Sequence, residues 1–416
     1  MLTRVVARRC LATSPRRIDG WAQSVQKSGQ LVFVKTGDGT QIVVDKNLAE
    51  SVQVGSAISA SGKWQKSQGE QQEMELIADS FQVLAKDSNP RYNISADNIR
   101  KKMHLRARSD EFAAILRARS RVFRATHDFF MDRGFVNVDT PKFTQNDCEG
   151  GGEVFEVQDE NSTKMFLSVS SQLHLEAMTS RLGQVYTLGP AFRAEKQQSH
   201  AHLSEFYMLE AEVAFVETVD EMCDLVQSYV QSLIRLSTEN VDLRSDIDRI
   251  ATFRNPEDRL EMSKLLSRWP RIKYTEALQF LEKNGQKVAD GRHGFSKQNE
   301  LTLVKIHGSP VFVTHYPIEQ KPFYMARDSE SNTTLSFDLL CPVVGELAGG
   351  SVREKDVVEL KKRGCSIDWY LELRQRGQPP TAGFGIGFER LLQFLFSVRN
   401  IKDVIPFPRW YKHCQC

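Results

Sequence analysis

The apolar residues of this chain change their spacing once, near residue 111, and that change divides it into two unlike parts. Between Ile18 and Leu84, short apolar runs alternate with turn residues: LVFVKTGDGTQIVV, then VGSAISASGKW, then EMELIADSFQVL. Runs of this length and alternation predict strands, with Gly37-Asp38-Gly39 as a turn, and several in succession predict a small all-β barrel. From Glu111 onward, Phe112, Ile115, Val122, Phe123, Thr126, Phe129 and Phe130 recur at helical spacing until Gly134 stops the run. An extended FVNVDTPKF follows, in which Pro141 cannot continue a helix. Beyond it, strand-like and helical segments mix without a strict βαβ repeat. The second part is therefore expected to be α+β with an antiparallel sheet and flanking helices, not a doubly wound sheet.

A length of 416 residues exceeds one ordinary core, which agrees with this division. The expected organisation is a leader over 1–18, the barrel over 19–88, a linker over 89–110, and the α+β domain over 111–416. An OB-fold is the natural form for the barrel. Asn89-Pro90 and the basic run Arg100-Lys101-Lys102 mark the linker, and a polar, mostly helical stretch at about 218–300 is expected to be an insertion.

The leader MLTRVVARRCLATSPRRI carries Arg4, Arg8, Arg9, Arg16 and Arg17 with no acid before Asp19. That composition suits a mitochondrial transit peptide and delivery to the matrix. No stretch approaches the ~18 apolar residues of a membrane span, so no membrane partner is expected. A net charge of +2 is too mild to identify a nucleic-acid partner, so any RNA contact must come from local patches. The seven cysteines lack CxxC spacing, which argues against a disulfide frame or a zinc site.

Three segments carry chemistry. Phe192-Arg193-Ala194-Glu195, the loop KQQSHA and HLSEFYMLEAEVAF predict a hairpin whose first arm presents Arg193, a residue whose planar fork suits phosphate. Phe206 offers a flat face on which a purine could stack. Gly383-Phe384-Gly385-Ile386-Gly387-Phe388-Glu389-Arg390 runs directly into a helix, LLQFLF, and its glycines allow close backbone approach to a nucleotide. Asp338 and Glu346 flank the bend CPVVG, and a hairpin there would bring two hard oxygen donors together, as Mg²⁺ prefers. Alone, FRAE reads as a surface strand, the glycines as packing aids and the two acids as strand ends.

Together with the Pro141 segment, in this order, FRAE and GFGIGFER resemble motifs 1, 2 and 3 of the class II aminoacyl-tRNA synthetases, and the resemblance extends over residues 18–412. It implies ATP as substrate, Mg²⁺, and a homodimer with the Pro141 segment at its interface. It also implies that Arg193 grips the α-phosphate and that His202 and Arg390 lie on the γ-phosphate side. Glu195 would meet the adenine edge, Phe206 and Arg390 would sandwich the base, Gly387 would border the nucleotide, and Asp338 and Glu346 would hold the metal.

A barrel ahead of the catalytic domain resembles the aspartyl, asparaginyl and lysyl subgroup. Glu149 in DCEGGGEVF matches the acid that holds the substrate α-ammonium, and Gln172 matches a residue that orients the substrate. Arg353 in GGSVRE matches the arginine that contacts the substrate side chain. Leu175 stands where aspartyl enzymes place a lysine, which disfavours a charged ligand. The implied substrates are asparagine and tRNA(Asn); an aspartyl enzyme, discriminating or charging both tRNAs, is the alternative. In the barrel, Phe33 and Gln41 match positions that stack on and hydrogen-bond the central anticodon base. The chain departs from the pattern at Ala201, where the subgroup has arginine, and in WAQSVQK, which lacks the usual arginines.

Overall fold

The computed structural model describes residues 16–67, 69, 72–87, 100–145, 154–158, 164–197, 199–250, 261–288 and 294–414. They form two compact units, one of residues up to 99 with 107–110, the other of 100–106 with 111–416. No helix among the described residues is long and apolar enough to cross a membrane.

In the first unit β1 (Arg16–Ser28), β2 (Leu31–Thr36), β3 (Gln41–Asp45), β4 (Ala57–Lys66) and β5 (Met74–Ala85) close a barrel in the order β1-β2-β3-β5-β4. Alternation decides which side chains fill it: Val32 and Val34 of β2 join Ile42, Val44, Ile58 and Leu76 in the core, and Phe33 between them stays outside it. The first strand starts inside the stretch expected to be a leader. Arg17 and Ile18 pair with Ser61 and Ala60 of β4, so they belong to the barrel, while residues 1–15 of that expectation lie outside the described residues.

The second unit begins with α1 (Asp110–Met131), β6 (Val136–Asn137), β7 (Phe143–Thr144), β8 (Glu156–Gln158), β9 (Lys164–Leu167) and α2 (Gln172–Leu182). The hairpin β10 (Gln184–Phe192) and β11 (Glu205–Ala214) leads to α3 (Val219–Glu239), α4 (Val241–Arg249), β12 (Arg271–Lys273), α5 (Tyr274–Lys283), α6 (Lys297–His307) and β13 (Val311–Thr314). A second hairpin, β14 (Ser336–Cys341) and β15 (Gly345–Val352), is followed by α7 (Val357–Lys362), α8 (Asp368–Gln375), β16 (Thr381–Gly387) and α9 (Phe388–Phe396). Eight strands form one sheet in the order β12-β13-β14-β15-β16-β11-β10-β6, antiparallel except at its two ends, and β7-β9-β8 form a small second sheet. One face of the large sheet packs on α1, α3 and α9, whose Phe112, Ile115, Phe130, Val226, Val230, Ile234, Leu391 and Leu392 share a single core.

Two parts of the expected organisation pack into the second unit. The stretch at 218–300 is largely helical where described: α3 buries Met222, Cys223, Val226, Val230, Leu233 and Ile234 in the main core, and β12 extends the sheet. Residues 251–260 and 289–293 of it lie outside the described residues. The end of the expected linker is also built into the second unit. The fully buried Arg106 guanidinium donates to the carbonyls of Lys402 at 2.7 Å, Ile405 at 2.9 Å and Pro406 at 3.1 Å, and Arg100 pairs with Asp403. Residues 88–99 of the linker lie outside the described residues.

Candidate active site

The open face of the sheet takes its chemistry from the register of β11 against β16. Met208, Glu210 and Glu212 lie opposite Gly387, Gly385 and Gly383, while Leu209 and Ala211 point into the core. The glycines of GFGIG therefore make room for long side chains on the neighbouring strand. A Cβ on Gly383 would come within 2.3 Å of the Glu212 carboxyl carbon and 2.4 Å of the Ala211 carbonyl oxygen. Beyond Gly387 the chain turns into α9, so Arg390 stands on the first turn of the helix beside the hairpin.

These elements wall a cavity of about 150 Å³, lined among others by Arg193, Glu195, His202, Phe206, Gly387, Arg390 and Glu346. Every residue expected at the ATP site is thus on one wall or another, with one of the two expected metal acids. Arg193 N–H donates to Ser204 O at 3.0 Å, which continues the hairpin past β10, and its guanidinium carbon lies 5.7 Å from the centre of the Phe206 ring. Arg193 and His202 approach Glu195 at 3.9 and 3.6 Å, and Arg390 donates to Glu346 O at 3.1 Å. Burial holds the His202 pKa below its usual value; Glu195 opposes this, and Arg390, Lys297 and Arg193 add to it, so the imidazole is neutral at pH 7. Glu389 also lines the cavity, buried, paired with Arg119 at 2.8 Å and accepting from Tyr207 N–H at 2.9 Å.

Asp338 does not line the cavity, but its carboxylate and that of Glu346 converge over Gly349. A Cβ there would lie 3.3 Å from Asp338 Oδ1 and 3.7 Å from Glu346 Oε1. Lys321 Nζ donates to both Asp338 oxygens at 2.8 and 2.7 Å. Glu300 of α6 adds a third acid that the sequence reading did not include: its Oε2 accepts from Glu346 N–H at 3.0 Å. Burial, then the charge of Glu346, push its carboxyl up to about 7. Among the described residues no group of three or more His, Cys, Asp or Glu is placed to hold a metal by itself. The Asp338–Glu346 pair fits a hard cation that completes its shell with phosphate oxygens.

A second, drier arrangement lies toward the Glu212 end of β11. Arg353, just after β15, donates through Nε to Glu212 at 2.8 Å, closes a second contact to it through Nη2, and donates to Ser351 Oγ at 2.7 Å. Burial raises the Glu212 pKa and Arg353 opposes it. Glu176 of α2 binds Arg374 at 2.6 Å, accepts from Tyr370 OH at 2.6 Å and accepts from Thr381 Oγ1 at 3.2 Å, while the Thr381 carbonyl takes Arg353 N–H at 2.8 Å. Gln172 opens α2 with its Nε2 buried and without a hydrogen-bond partner, and Leu175, on the same side of that helix one turn on, is fully buried. Glu149 lies outside the described residues. Glu176, Glu210, Glu212 and Arg374 were absent from the sequence reading. The one available signal was the alternation of acids in YMLEAEVAF, which puts two carboxylates on a face otherwise next to glycines.

In the barrel, Phe33 is half-buried on the outer side of β2, opposite Val43 of β3. Gln41 Nε2 donates to Glu75 at 2.9 Å, so its position is fixed by a buried acid.

With this geometry in view, comparisons with known proteins agree on one family. A model of the class II tRNA synthetases (D, K and N) matches residues 95–411, and one of the OB-fold nucleic acid binding domain matches residues 17–84. The chain belongs to the class II tRNA synthetases. An asparaginyl-tRNA synthetase of Mus musculus is 39% identical over 95% of this chain and 90% of its own length. A probable mitochondrial asparagine–tRNA ligase of Dictyostelium discoideum is 36% identical over 96% and 93%. The crystal structure of the asparaginyl-tRNA synthetase of Pyrococcus horikoshii with asparaginyl-adenylate superposes with a TM-score of 0.89 at 27% identity, covering 97% of this chain and 96% of that one. Within the class, its family is that of the asparaginyl-tRNA synthetases.

Proposed function

We propose that this protein activates asparagine with ATP, as an asparagine–tRNA ligase, and transfers it to tRNA(Asn) in the mitochondrial matrix. The observation that carries the reading is the single cavity in which Arg193, Glu195, His202 and Phe206 of one hairpin meet Gly387 and Arg390 of another segment almost two hundred residues on. Phe206 and Arg390 suit a stacked adenine, Glu195 its amino edge, and Arg193 the α-phosphate.

A carboxylate oxygen of the amino acid attacks the α-phosphorus, the bond to the bridging oxygen breaks, and diphosphate leaves. Arg193 and Arg390 stabilise the negative charge that builds on the phosphoryl oxygens, and His202 contributes a hydrogen bond on the γ-phosphate side. A ribose hydroxyl of the terminal tRNA adenosine then attacks the acyl carbon and AMP departs. No protein nucleophile is needed, so positioning carries most of the rate. Asp338 and Glu346 would hold Mg²⁺, which supplies Lewis-acid neutralisation of phosphate charge when bound.

Gln172, Arg353 and Glu149 are assigned to the amino acid. The unpartnered Nε2 of Gln172 supports a polar ligand there, and Leu175 supports a neutral one over a carboxylate. Phe33 and Gln41 are assigned to the anticodon, and exposed Val136 and Phe143 beside the Pro141 segment support a homodimer interface. The acid-free first fifteen residues, with Arg4, Arg8 and Arg9, support import, as does the name of the Dictyostelium relative. ATP–diphosphate exchange with asparagine and aspartate at equal concentration, followed by charging of tRNA(Asn), tests the assignment. Exchange with asparagine and formation of asparaginyl-tRNA are expected; exchange driven by aspartate alone would overturn it.

A further inference from the structure

Next to the catalytic cavity lies a second, open cleft of about 480 Å³, lined by Arg100, Lys101, His200, Asn400, Lys402, Trp410 and His413. Three of these side chains are permanent cations and two are histidines, and among the described residues no carboxylate lines the cleft. The acid nearest in sequence, Asp403, has its side chain buried and is held from behind by Arg100 at 2.6 Å. Among the described residues this one charge stands against the three cations Arg100, Lys101 and Lys402. Burial and the Arg100 charge push the Lys402 pKa down, against the opposing pull of Asp403, so the fold holds this ammonium where a further anion would be welcome.

One wall of the cleft is closely packed. The Trp410 ring stacks on His413 with centroids 3.4 Å apart and planes 8° from parallel, and the Lys402 ammonium sits 4.3 Å from the Trp410 centroid. A ring at 3.4 Å leaves no space for that ammonium on the same side, so both faces of the indole are occupied and no base can stack on it. The wall therefore offers charge and hydrogen-bond donors, not a base-reading surface.

Its position identifies what passes over it. Ile401 lines the catalytic cavity and its two neighbours, Asn400 and Lys402, line the cleft; Ala201 and His202 line the cavity and His200 the cleft. These two strips of chain are joined by Ile401 N–H donating to His200 O at 2.9 Å, and Ser204 N–H donating to Arg409 O at 2.7 Å ties the last segment to the hairpin. The cleft and cavity share a rim, so a polyanion whose end enters the cavity can lie across the cleft.

We infer that this cleft is a sequence-independent docking site for the sugar–phosphate backbone of the tRNA acceptor arm, with Lys101 and Lys402 as its phosphate contacts. The inference rests on the ligase reading above. Backbone contacts of this kind position a nucleic acid without reading its sequence, and each one adds to the salt dependence of binding.

The experiment uses the full-length chain and a tRNA(Asn) transcript. The unmodified protein is first assayed for exchange and charging; if it forms adenylate but charges no tRNA, the ligase reading itself falls. The double variant Lys101→Ala/Lys402→Ala is then compared with Lys101→Arg/Lys402→Arg. The expected result for the alanine pair is a tRNA KM raised ~10-fold and a salt dependence shallower by about two phosphate contacts, with exchange within about twofold of the parent and recovery in the arginine pair. Unchanged charging would overturn the inference. So would an equal fall in exchange and charging, which would assign the cleft to ATP, to diphosphate or to the fold.

Discussion

The two ends of strand β11 carry acids and arginines of the same kinds and handle them in opposite ways. At the cavity end, the side chains of Arg193, Glu195, His202 and Arg390 keep between a fifth and a third of their surface in solvent, and their contacts with acids are loose, at 3.9, 3.6 and 4.0 Å. At the other end, Arg353 with Glu212 and Arg374 with Glu176 are at most 4% exposed and in direct contact. A loose, wet pair costs little to open, so its cation can be given to a phosphate. A dry pair costs several kcal/mol to break and holds one shape. One sheet thus combines loose pairs whose cations can change partners with tight pairs that hold Arg353, assigned to the amino acid, in one geometry.

Removing one member of the dry frame is the strongest way to test this difference. Glu212→Ala leaves the Arg353 guanidinium buried without its partner and is expected to lower stability by about 3–5 kcal/mol, seen as a shifted urea midpoint. A midpoint equal to the parent's would erase the contrast. Arg390→Ala at the wet end is expected to leave the midpoint within about 1 kcal/mol while lowering the exchange rate roughly 10²- to 10³-fold. A large loss of stability there, or unchanged exchange, would show that the cavity is structural too.

The sequence foretold the wet end far better than the dry one, for physical reasons. Arg193, Glu195, Phe206 and Arg390 sit in short, ordered strings, FRAE, SEF and GFGIGFER, that can be recognised without knowing the fold. Glu176 and Arg374 are nearly two hundred residues apart, and only the packing of α2 and α8 brings them together. Arg106 looked like one more basic linker residue because a buried arginine needs carbonyl partners that lie about three hundred positions away. Likewise the polar average over 218–300 hid the apolar face of α3, where Met222, Val226, Val230 and Leu233 meet the core. The barrel was readable because a period of two needs no distant partner to show which face turns in.

The glycines of β16 sharpen the comparison at smaller scale. Gly383→Ala drives a methyl group into the Glu212 carboxylate and the Ala211 carbonyl, and is expected to cost about 1–3 kcal/mol. Gly387→Ala meets only the Arg390 side chain, no closer than 3.7 Å, at an ordinary negative φ of −66°, and is expected to change stability by less than about 0.5 kcal/mol. Equal costs at the two positions would mean that strand register, not the packed acid, sets the demand for glycine.

Glu300 lies between the two regimes, because it is half-buried and faces the acids of the cavity wall. Its carboxyl is pushed from 4.5 up to about 7, first by burial and then by Glu346, so between these values the folded protein holds a proton that the unfolded chain has released. Stability from this group is therefore complete below about pH 4.5 and is lost as pH rises through about 7. Glu300→Gln removes that dependence and keeps an oxygen to accept from Glu346 N–H. Relative to the parent, the variant is expected to be on the order of 1–2 kcal/mol more stable at about pH 8 than at about pH 5, below the ~3 kcal/mol that the full shift would allow. Urea midpoints across that range provide the measurement. Parallel profiles for the two proteins would place Glu300 with the solvated pairs of the cavity, its charge already compensated, and would move the boundary between the wet and dry ends onto α6.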